Sequence, residues 1–205
     1  MLDHLVLGVP DLDQGMAMVE RRTGVRPAFG GRHPGRGTHN GLLALGGRQY
    51  LEIIALDPTQ TETTGLLFPE LSSLSEPAFV TWAVATDNIG GVASRASAAG
   101  YSPIGPLAGS RTRTDGSLLA WQTLRIDGCA IAPVPFFISW PAGAAHPSED
   151  APRGCRLTSM TVEHPDPQAL VACLRALDAV ETVVPGPRPR LSVRLETPNG
   201  QVELG

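Results

Sequence analysis

The sequence predicts an α+β fold assembled from repeats of one βαβββ unit, and three observations carry that expectation. Two stretches rich in turn-forming residues, DPTQTETTGLLFPELSSLSEP at 57–77 and PAGAAHPSEDAPRG at 141–154, cut the 205-residue chain into three segments of similar size. Each segment opens with an apolar strand-like run and passes at once into a helix-like pattern introduced by an Asp. Each then closes with turn-separated runs of strand character, giving the order strand–helix–strand–strand–strand three times.

The first segment opens with LDHLVLGV. In the following PDLDQGMAMVERRTG, Asp11 is a suitable N-cap with Gln14 three residues on. Leu12, Met16 and Val19 fall on one helical face and Gly24 stops the helix, so a helix is expected over 11–23. The strands VRPAFGG, THNGLLALG and QYLEIIAL complete the unit. The second segment has FVTWAVAT, then a helix over 88–99 capped by Asp87 and stopped by Gly100, then a strand near 102–112, SLLAWQTLRI and VPFFISW. The third has RLTSMTVEH, a helix over 166–177 with Asp166 as cap and Pro167 in its first turn, then AVETVV, RLSVRLE and QVELG. The domain division that follows is 1–140, made of units 1–57 and 78–140, and a shorter third unit at 156–205.

Composition removes whole classes of function. All sixteen basic residues are Arg, so a phosphate loop needing Lys, a Schiff-base enzyme and a Ser–Lys hydrolase are excluded on chemistry. The Gly-rich GGRHPGRGTHN lacks dinucleotide-fingerprint spacing, and no GxSxG elbow is present. A net charge of −4 argues against a nucleic-acid partner, and no apolar run approaches a membrane span. The N-terminus lacks the features of a secretory signal. Cys129, Cys155 and Cys173, an odd number without CxxC spacing, read as reduced structural thiols, and the expected location is cytoplasmic.

Together, LDHLVLGV, GGRH and GTHN, YLEII, the Arg-x-Arg-x-Asp-Gly run (Arg111, Arg113, Asp115, Gly116) before LLAW with Trp121, and PFFISW resemble the vicinal oxygen chelate superfamily, and within it the glyoxalase-like domain proteins. The likeness covers about residues 1 to 140. It implies a curved half-barrel sheet built from paired βαβββ modules, as in glyoxalase, bleomycin-resistance and dioxygenase folds. It also implies a ligand or metal site in the concavity, with ligands on the first and last strands of each module. Where relatives often carry Glu after PFFI, this chain has Ser139.

Strand alternation supports an inward site. It puts His4 with Leu2 and Val6 on one face of the first strand, and Glu52 with Tyr50 and Ile54 on one face of the last, opposite the helix-packing Leu5, Leu7, Leu51 and Ile53. A carboxylate in so apolar a run must be paired, protonated or bound to a metal. Imidazole plus carboxylate is a sound half-site for Zn, Fe, Mn or Ni; the plain alternative is a His–Glu hydrogen-bonded pair without metal. In the second unit the aligned positions are Thr81 and Ser139, poor ligands for these metals, so a four-ligand site of the glyoxalase I kind is not expected. His33 or His39 would complete a set of two imidazoles and one carboxylate. Asn40 suits a carbonyl or phenol, and Arg111 and Arg113, two apart on one strand, suit a carboxylate or phosphate. Trp82, Trp140 and Phe136/Phe137 read as core, and His146 and His164 as surface.

The expected function is therefore metal-dependent small-molecule chemistry of lyase, isomerase or dioxygenase type, with Glu52 moving a proton. The alternative is a metal-free binding or drug-sequestering protein resembling the bleomycin-resistance members. The third unit is expected at an outer edge, extending a sheet or forming a homodimer contact.

Overall fold

The computed structural model describes residues 1–60, 68–113, 116–129, 134–179 and 181–205. Asp115 of the Arg-x-Arg-x-Asp-Gly run and residues 61–67 of the first connector lie outside that set. The first unit consists of β1 (Leu2–Gly8), α1 (Leu12–Thr23), β2 (Ala28–His33), β3 (Thr38–Ala44) and β4 (Tyr50–Leu56). The second has β5 (Ala78–Ala85), α2 (Ile89–Ala98), β6 (Ser102–Thr112), β7 (Leu118–Asp127) and β8 (Phe136–Ser139). Their strands form one eight-stranded sheet in the order β2-β3-β4-β1-β5-β8-β7-β6. In both units the first strand runs parallel to the last (β1 with β4, β5 with β8), and the units join through the antiparallel β1–β5 pair.

The helices start where side chains can satisfy their free N–H groups. Asp11 accepts from the Gln14 N–H at 2.8 Å, and Gly24, with φ of 77°, ends α1 in the left-handed conformation. The cap of α2 is Asn88, which accepts from Gly91 N–H at 2.9 Å, and not the neighbouring Asp87 expected from sequence. Either residue type can cap; the chain turns one residue later than the pattern suggested.

The third unit keeps the expected element order, but its strands pair differently from those of the first two units. After the short α3 (Pro147–Asp150) come β9 (Arg156–His164), α4 (Pro167–Ala176), β10 (Thr182–Pro185), β11 (Arg190–Thr197) and β12 (Gly200–Leu204). These strands make a separate four-stranded sheet, β10-β9-β11-β12, in which β9 pairs with β10 and β11 instead of with the last strand. The unit does not extend the larger sheet. Its Val162, Leu170, Leu174, Leu191 and Val193 join Leu5, Leu7, Leu51 and Ile53 and the inner faces of α1 and α2 in one buried cluster. Burying that much apolar surface, at roughly 25 cal/mol per Å², outweighs an edge-strand pairing. Glu203 consequently points outward and pairs with Arg194 at 3.2 Å, away from the concave face.

The cysteines also depart from the expectation. Cys129 and Cys173 form a disulfide with a Cα–Cα distance of 5.6 Å, tying the end of β7 to α4, and Cys155 is free and buried. Residue spacing could not show this, because folding brings together two cysteines 44 residues apart. His164 is buried, and its Nδ1 accepts the Asp166 N–H at 3.0 Å.

Beyond β4, Asp57 anchors the turn into the first connector. It accepts from Thr59 N–H and Oγ1, Gln60 Nε2 and Arg32 Nε at 2.7–3.1 Å. Burial raises its carboxyl pKa, but the hydrogen bonds from Thr59 and Gln60 outweigh burial and hold it at about 2 against an ordinary 3.8. A folded-state pKa below the unfolded one supplies stability that is complete above about pH 4 and fades as pH falls toward 2. Asp57→Asn should lower stability by about 2 kcal/mol at pH 7 and by much less at pH 2. Urea titrations at the two pH values measure this; equal losses at both would contradict it.

Candidate functional site

The concave face of the large sheet encloses a cavity of about 580 Å³. The four neighbouring strands β2-β3-β4-β1 each give it one polar side chain: His33, Asn40, Glu52 and His4. Opposite faces of β1 and β4 hold Leu5, Leu7, Leu51 and Ile53 against the helices, so alternation turns His4 and Glu52 inward. All four polar residues are at most 7% exposed.

Hydrogen-bond partners assign the tautomers. His4 Nδ1 lies 2.7 Å from Asp3 Oδ1 and donates to it, and its Nε2 lies 3.6 Å from Glu52 Oε2. His33 Nδ1 is 2.9 Å from the Thr38 hydroxyl on the paired strand, while Nε2 accepts from Asn40 Nδ2 at 3.5 Å and lies 3.8 Å from Glu52 Oε1. Asn40 Nδ2 also donates to Glu52 Oε1 at 2.6 Å, and Asn40 Oδ1 is buried without a partner. Burial is the main cause that lowers the His33 pKa, and Arg111 adds to it against the opposing pull of Glu52, so His33 is neutral at pH 7. The two imidazole Nε2 atoms thus stand near the two oxygens of one carboxylate. Electron-rich groups in that arrangement call for a cation or a proton between them.

A network missed in the sequence supports His4 from behind. A bulge between Leu2 and His4 breaks the alternation, so Asp3 and His4 both turn from the helix side while Leu2 packs on it. Asp3 accepts from His4, from Trp140 Nε1 at 2.9 Å and from His146 Nε2 at 3.2 Å. Burial raises the Asp3 pKa, yet these hydrogen bonds prevail and leave its carboxyl well below the usual range. Tyr50, the partner of His4 in the β1–β4 register, stacks on the imidazole at 4.5 Å. His146 is 1% exposed, not a surface residue: the 141–154 stretch packs across β3 and β4, with Ala151 against Leu42, Ala44 and Tyr50.

The remaining candidates divide. Trp121, Trp140, Phe136 and Arg111 line the cavity, so Trp140 is wall and not only core. Thr81 also lines it, with its hydroxyl donating to the Val134 carbonyl at 2.8 Å. His39 does not belong to the site. It lies between inward Thr38 and Asn40 on β3, so it faces the other side, edge-on to Phe29 at 6.4 Å. Ser139 fails for the same reason, since the cavity-facing residues of β8 are Phe136 and Ile138, and the second unit's counterpart of Glu52 is thus apolar. Arg113 follows the end of β6 and is held by Asp150 and the Ala145 carbonyl, so it does not share a clamp with Arg111. Among the described residues, no group of three or more His, Cys, Asp or Glu side chains stands in a geometry that could hold a metal ion.

Comparison with known proteins accords with this architecture. The sequence profile of a family described as glyoxalase-like domain matches residues 2–177. A hypothetical protein from Staphylococcus aureus superposes with a TM-score of 0.71 at 17% identity, over 98% of this chain and 83% of that one, a likeness of fold. Methylmalonyl-CoA epimerase from Mycobacterium tuberculosis gives 0.47 at 14% identity over 67% of this chain and 86% of its own. A Streptomyces coelicolor methylmalonyl-CoA epimerase in complex with 2-nitronate-propionyl-CoA gives 0.49 at 16% over 71% and 97%. No curated protein matches the chain. No helix among the described residues is long and apolar enough to cross a membrane.

Proposed function

Since the chain belongs to the glyoxalase-like domain family of the vicinal oxygen chelate superfamily, we propose that it is a small-molecule enzyme whose His4, Glu52 and His33 hold one divalent metal. One observation carries the reading: the Nε2 atoms of His4 and His33 lie 3.6 and 3.8 Å from the two oxygens of the buried Glu52 carboxylate. A tetrahedral ion with bonds of about 2.0–2.2 Å sets its ligands roughly 3.3–3.6 Å apart, so the side chains must move for one ion to sit among all three. Two imidazoles and one carboxylate leave further positions for substrate oxygens.

When bound, the metal would act as a Lewis acid on a substrate carbonyl or enolate. The chain's own groups do the rest. Asp3 fixes the His4 tautomer and presents Nε2; Asn40 Nδ2 holds Glu52 Oε1 and thereby orients the carboxylate. Glu52 is the group placed to take or return a proton, in chemistry of lyase, isomerase or dioxygenase type. Residues 1–140 carry this machinery, and the unit at 156–205 buries the convex face behind it. The competing reading is a metal-free binding protein of the drug-sequestering kind. It is favoured by the second unit, where the Thr81 hydroxyl is committed to a carbonyl and the cavity-facing residues of β8, Phe136 and Ile138, are apolar.

Calorimetric titration of chelator-treated protein with Zn or Mn separates the two. About one ion per chain should bind, His33→Ala should weaken binding by about tenfold or more, and His39→Ala should leave it unchanged. Absence of binding to the wild type would support the metal-free reading.

A further inference from the structure

Arg111 carries more chemistry than its place in the fold requires. The large sheet curls until its edge strands β2 and β6 meet, and the Arg111 guanidinium donates to the Gly30 carbonyl across that junction. A guanidinium has five N–H donors and a permanent charge, whereas a neutral carbonyl needs one donor and no charge. The side chain is nevertheless a cavity-lining cation only 7% exposed. Among the described residues it forms no ion pair, although Arg113, two residues on, is paired with Asp150. The carboxylates that act on it, Glu52 across the cavity and the Arg113-bound Asp150, are not within ion-pair distance, and an anionic ligand would meet the guanidinium directly.

The wall around it restricts what that ligand can be. Trp121 packs flat on the backbone of its cross-strand partner Gly109, where an added Cβ would come within 2.5 Å of the indole nitrogen. This sets the ring 6.4 Å from His33 and 5.8 Å from Trp140. Phe136 stands edge-on to His4 at 5.5 Å. Aromatic faces thus border both imidazoles, and a cavity of about 580 Å³ has room for a one- or two-ring molecule.

We propose that Arg111 is the anion-binding group of this cavity, and that the substrate is a small carboxylic acid with a flat, aromatic or conjugated body. The proposal rests on the reading of the cavity as the substrate site. Of the three guanidiniums that line the cavity, Arg125 is exposed and Arg36 half-buried, so the buried Arg111 fork is the one placed to take the two oxygens of a carboxylate inside it.

The test is a titration of the two cavity tryptophans' fluorescence with benzoate, phenylacetate and phenylpyruvate, each against its neutral amide. Wild-type protein should bind at least one acid about tenfold or more tightly than its amide, a difference expected of a charge-assisted pair. Arg111→Gln should abolish that preference while changing amide binding little. Glu52→Gln should lose metal yet keep the preference for acid, so failure of the metal assignment and failure of the Arg111 assignment are separately visible. No acid preference in the wild type, or an undiminished one in Arg111→Gln, overturns the proposal. If Arg111→Gln does not fold, the Arg111 Nε–H resonance of the wild type decides: it should shift with acid and not with amide, and no shift overturns the proposal equally.

Discussion

Glu52→Gln is expected to remove bound divalent metal almost entirely while leaving the fold intact. The amide keeps the shape of the side chain, and its oxygen can still accept from Asn40 Nδ2, which now reaches Glu52 Oε1 at 2.6 Å. What changes is the other end. One anionic oxygen becomes an NH2 group beside an imidazole Nε2, so the charge and the bridging acceptor are lost together. If Glu52 is also the proton carrier, turnover should fall by about 10²–10⁴-fold. Metal content by mass spectrometry and a thermal melt are the readouts. A variant that keeps its metal would remove Glu52 from the ligand set, and one that unfolds would make Glu52 a structural residue first.

Asp3 should show the next largest effect, and its two substitutions separate positioning from stability. Asp3→Ala leaves His4 Nδ1, Trp140 Nε1 and His146 Nε2 without their shared acceptor in a site where Asp3 is only 2% exposed. Breaking a buried charged network of this kind costs about 3–5 kcal/mol. Asp3→Asn retains size and one acceptor oxygen, so the stability loss should be smaller. It weakens the hold on the His4 tautomer, however, and metal affinity should fall by about 10–100-fold. Urea denaturation and metal titration of both variants check this. Equal stability of the three proteins would mean that the Asp3 network does not hold this end of the sheet.

The repeat order of the first two units, the helix positions and the inward face of β1 and β4 were legible because each depends on local pattern: caps, the period of two, and apolar runs. The same alternation places Glu52 opposite Leu51 and Ile53. The misreadings came where tertiary structure overrides that pattern. A bulge at Asp3 shifts the alternation by one residue, and nothing in LDHLVLGV announces it. Ser139 lies on the opposite face of β8 from the cavity-lining Phe136 and Ile138, and strand alternation likewise turns His39 away from the face that Asn40 occupies. His146 looked like part of a linker because its Ala- and Pro-rich surroundings carry no periodicity, yet that segment folds back over β3 and β4. The pairing of the third unit was hidden because βαβββ order permits more than one strand arrangement. The Cys129–Cys173 bond depends on that packing in turn.

The most direct test of a metal held by His4, Glu52 and His33 is X-ray diffraction from crystals grown with Mn or Zn, collected at the metal's absorption edge. An anomalous peak is expected within about 2.0–2.2 Å of both Nε2 atoms and of a Glu52 oxygen, with the side chains drawn slightly together. A saturated crystal with no peak there, or with Glu52 hydrogen-bonded to a protonated His4 in the same place, would contradict it.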